Sequence, residues 1–179
     1  MNSKTAIFAG GCFWCMEAVY KNIKGILSVA PGYIGGETKK PTYEQVKTGD
    51  TGHAEAIRIM YNPNIVSYED LLRIFFATHN PTTLNRQGND FGPQYRSGIF
   101  YMSDEQKKLA EAYIKYLNEQ DIFDRFIVTE ILPATKFYEA EDYHHNYFKN
   151  NPNNPYCQFV IIPKVEKFKS QFKKYLKDE

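Results

Sequence analysis

The chain has 179 residues, a formal net charge of +1, 42% hydrophobic and 24% charged residues, enough for one soluble domain with a sizeable core. The near-neutral balance gives no footing for nucleic acid or an acidic membrane surface. No apolar run reaches membrane-spanning length and the first residues do not read as a signal peptide, so a cytoplasmic protein is expected. Three cysteines, an odd number, argue against a disulfide framework and toward redox or metal chemistry.

Residues 5–9 predict a short buried strand, followed by Gly10-Gly11 and a helix over about 12–23 with Met16, Val19, Tyr20 and Ile23 on one face. Strand, glycine turn, cysteine and helix would set Cys12 at a helix N-terminus. Unpaired N–H groups and the helix dipole favour thiolate there. After Gly25, residues 26–30 predict a second strand and 31–36 a turn-rich exit. Residues 37–53 read as loop with one helical turn. Residues 55–61 alternate, with Ile57, Ile59 and Tyr61 on one face. Glu55 shares their parity: an exposed strand-end glutamate is one reading, but if Ile57 and Ile59 face the core, its carboxyl points the same way and is partly desolvated.

Ser67 and Asp70 cap a helix whose stripe is Leu71, Leu72, Phe75 and Phe76, and Asn80-Pro81 stops it. Residues 81–96 form a loop long enough to work as a lid or binding loop. Residues 97–102 predict a strand, and Ser103 with Gln106 a capping box for a helix to about residue 120. A strand over 126–132, a helix over 139–148, a turn cluster at 150–155 and a lysine-rich closing helix through Val165, Phe168, Phe172 and Leu176 complete the chain. This order predicts a single-domain α/β sandwich over residues 1–179, a mixed sheet covered by helices, with a core over about 5–162 and a terminal helix over about 164–177.

The chemistry centres on Cys12-Phe13-Trp14-Cys15. Redox or nucleophilic catalysis is one reading. Half a zinc site, completed by His144, His145 or Cys157, is a second. Two inert buried cysteines are a third. A thioredoxin-type fold places strand and helix material before such a motif, and only one strand fits before Cys12. Phe13 and Trp14 suggest an apolar patch beside the thiol, fit for a small hydrophobic group. Tyr43, Tyr95 and Asp90 are unremarkable alone, and His53 reads as a turn residue. His144 and His145 are adjacent and would project from different helix faces, a poor chelating pair. The lysine-rich helix reads as a solvated face.

Taken together, Gly11-Cys12-Phe13-Trp14, Gly32-Tyr33-x-Gly35-Gly36, Pro41-Thr42-Tyr43, Gly49-x-Thr51-Gly52-His53-Ala54-Glu55, Arg86-Gln87-Gly88-x-Asp90 and Gln94-Tyr95-Arg96-Ser97 resemble the A-type peptide methionine sulfoxide reductases, over about residues 6–157. The resemblance implies a ferredoxin-like α/β sandwich. It implies reduction of the S epimer of methionine sulfoxide, free or in peptides and proteins, as repair of oxidative damage. On its pattern Cys12 is the nucleophile and Glu55 the acid that protonates the sulfoxide oxygen. Tyr43 and Tyr95 hydrogen-bond that oxygen, Asp90 organises the site through water, and Phe13 and Trp14 receive the methyl group. A sulfenic acid on Cys12 is resolved to a disulfide and recycled by thioredoxin, with no bound cofactor or metal. Many members have glycine at the position of Cys15 and a distal cysteine in a glycine-rich tail. Here Cys15 is expected to resolve, as in the subgroup with a Cys-Phe-Trp-Cys centre, and Cys157 to be secondary or structural. A monomer is expected.

Overall fold

The computed structural model describes residues 2–178. Strand β1 (Lys4–Gly10) leads through Gly11 into helix α1 (Phe13–Tyr20) and then strand β2 (Ile26–Ile34). A single helical turn, α2 (Tyr43–Lys47), interrupts the next loop before strand β3 (Ala54–Tyr61) and helix α3 (Tyr68–Thr78). The long loop folds into a hairpin, β4 (Arg86–Gln87) and β5 (Asp90–Phe91), then a 3₁₀ turn (Pro93–Tyr95). Strand β6 (Ser97–Tyr101), helix α4 (Asp104–Glu119), strands β7 (Glu130–Pro133) and β8 (Tyr138–Glu139), helix α5 (Tyr147–Asn150) and helix α6 (Ile162–Gln171) follow.

The main sheet runs β7-β6-β1-β3-β2-β8, antiparallel except for the parallel β6–β7 pair. Its inner four strands with α1 and α3 give β-α-β-β-α-β in the order β6-β1-β3-β2, the ferredoxin-like arrangement. The two sheet faces are unequal. Ala6 and Phe8 of β1 and Ile57 and Ile59 of β3 face a large core shared with α1, α3, α4 and α6. Ile7, Ala9, Ala54 and Ala56 face a small one, capped by Ala134 and Phe137. The helices therefore gather on one face, and a loop covers the other.

Several local expectations change, each for a readable reason. Strand β2 does not end at Ala30 but runs through Pro31 and Gly32 to Ile34. A Cβ at Gly32 would collide with the Phe137 ring and the Tyr138 carbonyl, and glycine lets β8 close against β2 there. The strand expected over 126–132 shrinks to Glu130–Pro133. Ile127 N–H is taken by Asn118 Oδ1 and Val128 N–H by Pro81 O, so this stretch cannot continue a ladder. Of the helix expected over 139–148 only residues 147–148 are helical, within α5. Glu139 is in β8, Asp142–His144 is a 3₁₀ turn, and Asn146, at φ +56°, breaks the path before α5.

At Ser67 the capping box forms on both sides. At Ser103 only half forms: Ser103 Oγ accepts from Gln106 N–H, but Gln106 Oε1 accepts from Met102 N–H. The closing helix starts earlier and ends sooner than expected. It follows a π-helical turn (Cys157–Ile161) and stops at Gln171, after which Leu176 bridges back to Ile23.

Candidate active site

The topology gathers the candidate residues at one end of the sheet. Gly10 pairs with Ser97 and Glu55 with Tyr33, so the end of β1, the end of β2 and the starts of β3 and β6 lie side by side. Cys12 follows β1, Glu55 opens β3, Tyr95 precedes β6, and Tyr43 begins α2 after β2. The turn into Cys12 depends on Gly11. It sits at φ +96°, and a Cβ there would lie 2.6 Å from Gln87 Cγ. Gln87 is itself clamped to Asn80, accepting from its N–H at 2.8 Å and donating to its carbonyl at 2.9 Å. The β4–β5 hairpin, which carries Asp90, is thereby pressed onto the cysteine turn.

Cys12 is the N-cap of α1, 8% exposed, and Cys15 lies one turn on at 2%. All three cysteines are free thiols. Glu55 is 2% exposed, and its Oε1 accepts from Phe13 N–H at 3.1 Å. Burial pushes its carboxyl up to about 8 despite that donor, so it holds its proton at neutral pH.

The helix end is one of several influences on the thiol pair. The Trp14 N–H does favour ionised Cys12. Burial, the adjoining Cys15 thiol and the nearness of Glu55 outweigh it and push Cys12 well up. Cys15 receives a hydrogen bond from Cys12, which brings it down to about 7 against burial. The two titrate together: a first proton leaves near 7 and a second is held far higher.

Phe13 is fully buried and Trp14 half-buried. Trp14 stacks on Tyr147 at 3.7 Å and 5°, and its indole N–H donates to His144 Nδ1 at 2.9 Å. Since an indole can only donate, neutral His144 carries its proton on Nε2. Burial brings His144 down to about 4, so it stays neutral. Its ring also faces Tyr43 at 4.4 Å and Phe13 at 5.0 Å. Tyr43 N–H donates to Glu141 Oε2 while Tyr33 OH donates to Glu141 Oε1. Arg96 fixes the turn that carries Tyr95, reaching the carbonyls of Pro93 and Gly52 and the Glu130 carboxylate. Burial, and then Glu55, push the phenols of Tyr43 and Tyr95 up, so both remain donors. Asp90 Oδ2 accepts from Tyr156 OH at 2.7 Å.

The candidate residues other than Cys157 thus lie on this end of the fold, and Cys157 borders it. That thiol is fully buried on the π-helical turn behind Cys15 and packs in the main core. His53 is a local staple, accepting from Gly36 N–H and bonding the Thr38 carbonyl. Among the described residues no cluster of three or more His, Cys, Asp or Glu side chains converges on a metal position. Tyr147, Glu141 and Tyr156 carry no local signal in the sequence, and His144, weighed there only as a metal ligand, proves to be the acceptor for the Trp14 indole. Replacing His144 by leucine leaves the Trp14 N–H without its acceptor. A loss of about 1–3 kcal/mol in urea unfolding is expected, with a changed Trp14 emission; unchanged values would remove His144 from the support of Trp14.

The sequence profile of the family described as peptide methionine sulfoxide reductase matches residues 4–176. The peptide methionine sulfoxide reductase MsrA of Sulfolobus acidocaldarius is 53% identical over 169 residues, covering 94% of this chain and 95% of that protein. Among solved structures, reduced Mxr1 from Saccharomyces cerevisiae superposes with a TM-score of 0.77 at 36% identity, covering 87% of this chain and 89% of that one. Mxr1 in complex with Trx2 superposes at 0.55 with 28% identity, over 80% of this chain and 84% of that one. On fold and sequence alike, the chain belongs to the A-type peptide methionine sulfoxide reductases.

Proposed function

We propose that the enzyme reduces the S epimer of methionine sulfoxide, in proteins and free, by sulfenic acid chemistry on Cys12. The observation that carries this reading is the buried carboxyl of Glu55, 2% exposed and bonded to Phe13 N–H on the first turn of α1, next to the Cys12 turn. A sulfoxide oxygen leaves only when protonated, and a carboxyl kept neutral by burial can supply that proton at neutral pH.

In the proposed first step Cys12 attacks the sulfoxide sulfur. The pair has by then lost one proton and the other stays on Cys15, while Glu55 gives its proton to the sulfoxide oxygen. The attack joins the two sulfurs; the protonated oxygen then passes to the Cys12 sulfur as the substrate's S–O bond and the S–S bond break. The products are methionine, a Cys12 sulfenic acid, a Cys15 thiol and a Glu55 carboxylate. Tyr43 and Tyr95 donate to the oxygen as charge builds on it. Phe13 and Trp14 form the wall for the methyl group, and Asp90 orders the polar side.

Cys15 then condenses with the sulfenic acid, releasing water and forming the Cys12–Cys15 disulfide. An external dithiol reduces it by exchange. The yeast relative captured with Trx2 supports thioredoxin as that dithiol. Cys157, shut in the core, is left to a secondary role.

NADPH consumption coupled through thioredoxin, with S and R methionine sulfoxide side by side, tests the substrate. Turnover confined to the S epimer is expected, and equal turnover of both rejects the assignment. Peptide mapping after one turnover without reductant tests the resolving thiol. A Cys12–Cys15 bridge is expected; a predominant Cys12–Cys157 bridge overturns it.

A further inference from the structure

Tyr156 has no part in the steps above, yet its hydroxyl touches two groups that do. It donates to Asp90 Oδ2 at 2.7 Å and lies 3.7 Å from Cys15 Sγ. A phenol has one proton. With that proton directed at Asp90, the oxygen offers Cys15 a lone pair, and the thiol is the donor. The three groups form a directed chain from Cys15 S–H through Tyr156 O–H to the Asp90 carboxylate. The ring is fixed independently, edge-on to Trp14 at 5.9 Å and 77°, with the Tyr156 N–H held by Asn154 Oδ1 at 2.9 Å.

We infer that Tyr156 and Asp90 form a proton relay that activates Cys15 for disulfide formation. The inference rests on the mechanism proposed above, in which Cys15 leaves the first step as a thiol. Cys15 passes its proton to the Tyr156 oxygen as Tyr156 passes its own to Asp90. The Cys15 sulfur attacks the Cys12 sulfur, the S–S bond forms and the S–O bond of the sulfenic acid breaks. The departing hydroxide takes the proton from Asp90. The products are disulfide, water and the original Asp90 carboxylate, with no further reactant.

Two features favour a relay over a simple contact. Burial and the charges of Cys12 and Cys15 push the Tyr156 phenol far up, so it can give a proton only while receiving one. In the resting pair Cys15 is made acidic first by the Cys12 thiol, and that S–H no longer exists once Cys12 is a sulfenic acid. Tyr156 is the side-chain group outside the thiol pair within hydrogen-bond reach of Cys15 among the described residues. The other groups facing Cys15 are Cys12 on its own turn, Cys157 beside Tyr156, Lys164 on α6, Asp90 on the hairpin and Glu55 on β3.

Tyr156→Phe keeps the ring against Trp14 and deletes the oxygen. One addition of S methionine sulfoxide without reductant separates the steps: methionine release reads the first, and decay of dimedone-trappable sulfenic acid reads the second. Methionine release at the wild-type rate is expected. Disulfide formation is expected to slow by about tenfold or more at about pH 6, with the gap closing toward about pH 9, where Cys15 ionises unaided. Asp90→Asn, which still accepts from Tyr156 but cannot take its proton, should show the same pH-dependent slowing when started from the sulfenic enzyme. Wild-type disulfide formation at about pH 6 in Tyr156→Phe, or slowing by one factor at every pH, overturns the relay. No methionine release from the wild type would instead reject the proposed function.

Discussion

Cys12→Ser abolishes methionine sulfoxide reduction, with kcat/KM falling by a factor on the order of 10⁴ or more, the scale of losing a covalent nucleophile. The loss has two physical sources. A serine hydroxyl in this buried turn does not ionise near neutral pH, whereas the thiol pair releases a proton near 7. The oxygen transfer itself also fails. Sulfur accepts the sulfoxide oxygen as a stable sulfenic acid, but a serine oxygen would have to become a hydroperoxide. No rearrangement of Glu55 or the tyrosines compensates for that. Cys15→Ser is the control. It retains Cys12 and should still release one methionine per chain, but should accumulate sulfenic acid in place of disulfide. Near-normal turnover of Cys12→Ser, measured with thioredoxin recycling, would remove Cys12 as the nucleophile.

How far the sequence carries the site can be followed residue by residue. Cys12 is legible because a buried strand, two glycines and a helix are all local signals. Gly11 then proves to need its positive φ against Gln87. The burial of Glu55 is legible because a strand has period two, and parity with Ile57 and Ile59 fixes its face. Tyr156 and His144 are not legible in this way. The first meets Asp90 across 66 positions and the second meets Trp14 across 130. Among 14 tyrosines and 13 phenylalanines, no local pattern marks a ring whose hydroxyl reaches a thiol. Residues 139–148 depart from the expected helix for a related reason. Its apolar spacing suits a helix, but pairing with β2 and the left-handed Asn146 decide otherwise.

Glu55→Gln is the second large effect, and its pH dependence separates a proton donor from a mere spacer. Glutamine can still accept from Phe13 N–H, so the first turn of α1 keeps its partner. It cannot give a proton. The sulfenic-acid-forming step should slow by about 10²–10⁴ at neutral pH. The wild-type profile of kcat/KM should rise as the thiol pair ionises near 7 and fall as Glu55 loses its proton near 8. Because Glu55 acts in its protonated form, its limb is the descending one, and glutamine should erase that limb while leaving the ascending one. Stability should move the opposite way. A carboxyl whose folded-state pKa is raised binds a proton more tightly when folded, so its stabilising effect is present at low pH and is lost as pH rises through about 8. Glutamine carries no such burden, and at pH 8 the variant should be more stable by on the order of 3–5 kcal/mol. A variant at once slower and more stable would identify Glu55 as a group held in an unfavourable environment for its chemistry. Single-turnover rates equal to wild type, or a descending limb that survives the substitution, would reject Glu55 as the acid and require the proton to come from Tyr43 or Tyr95.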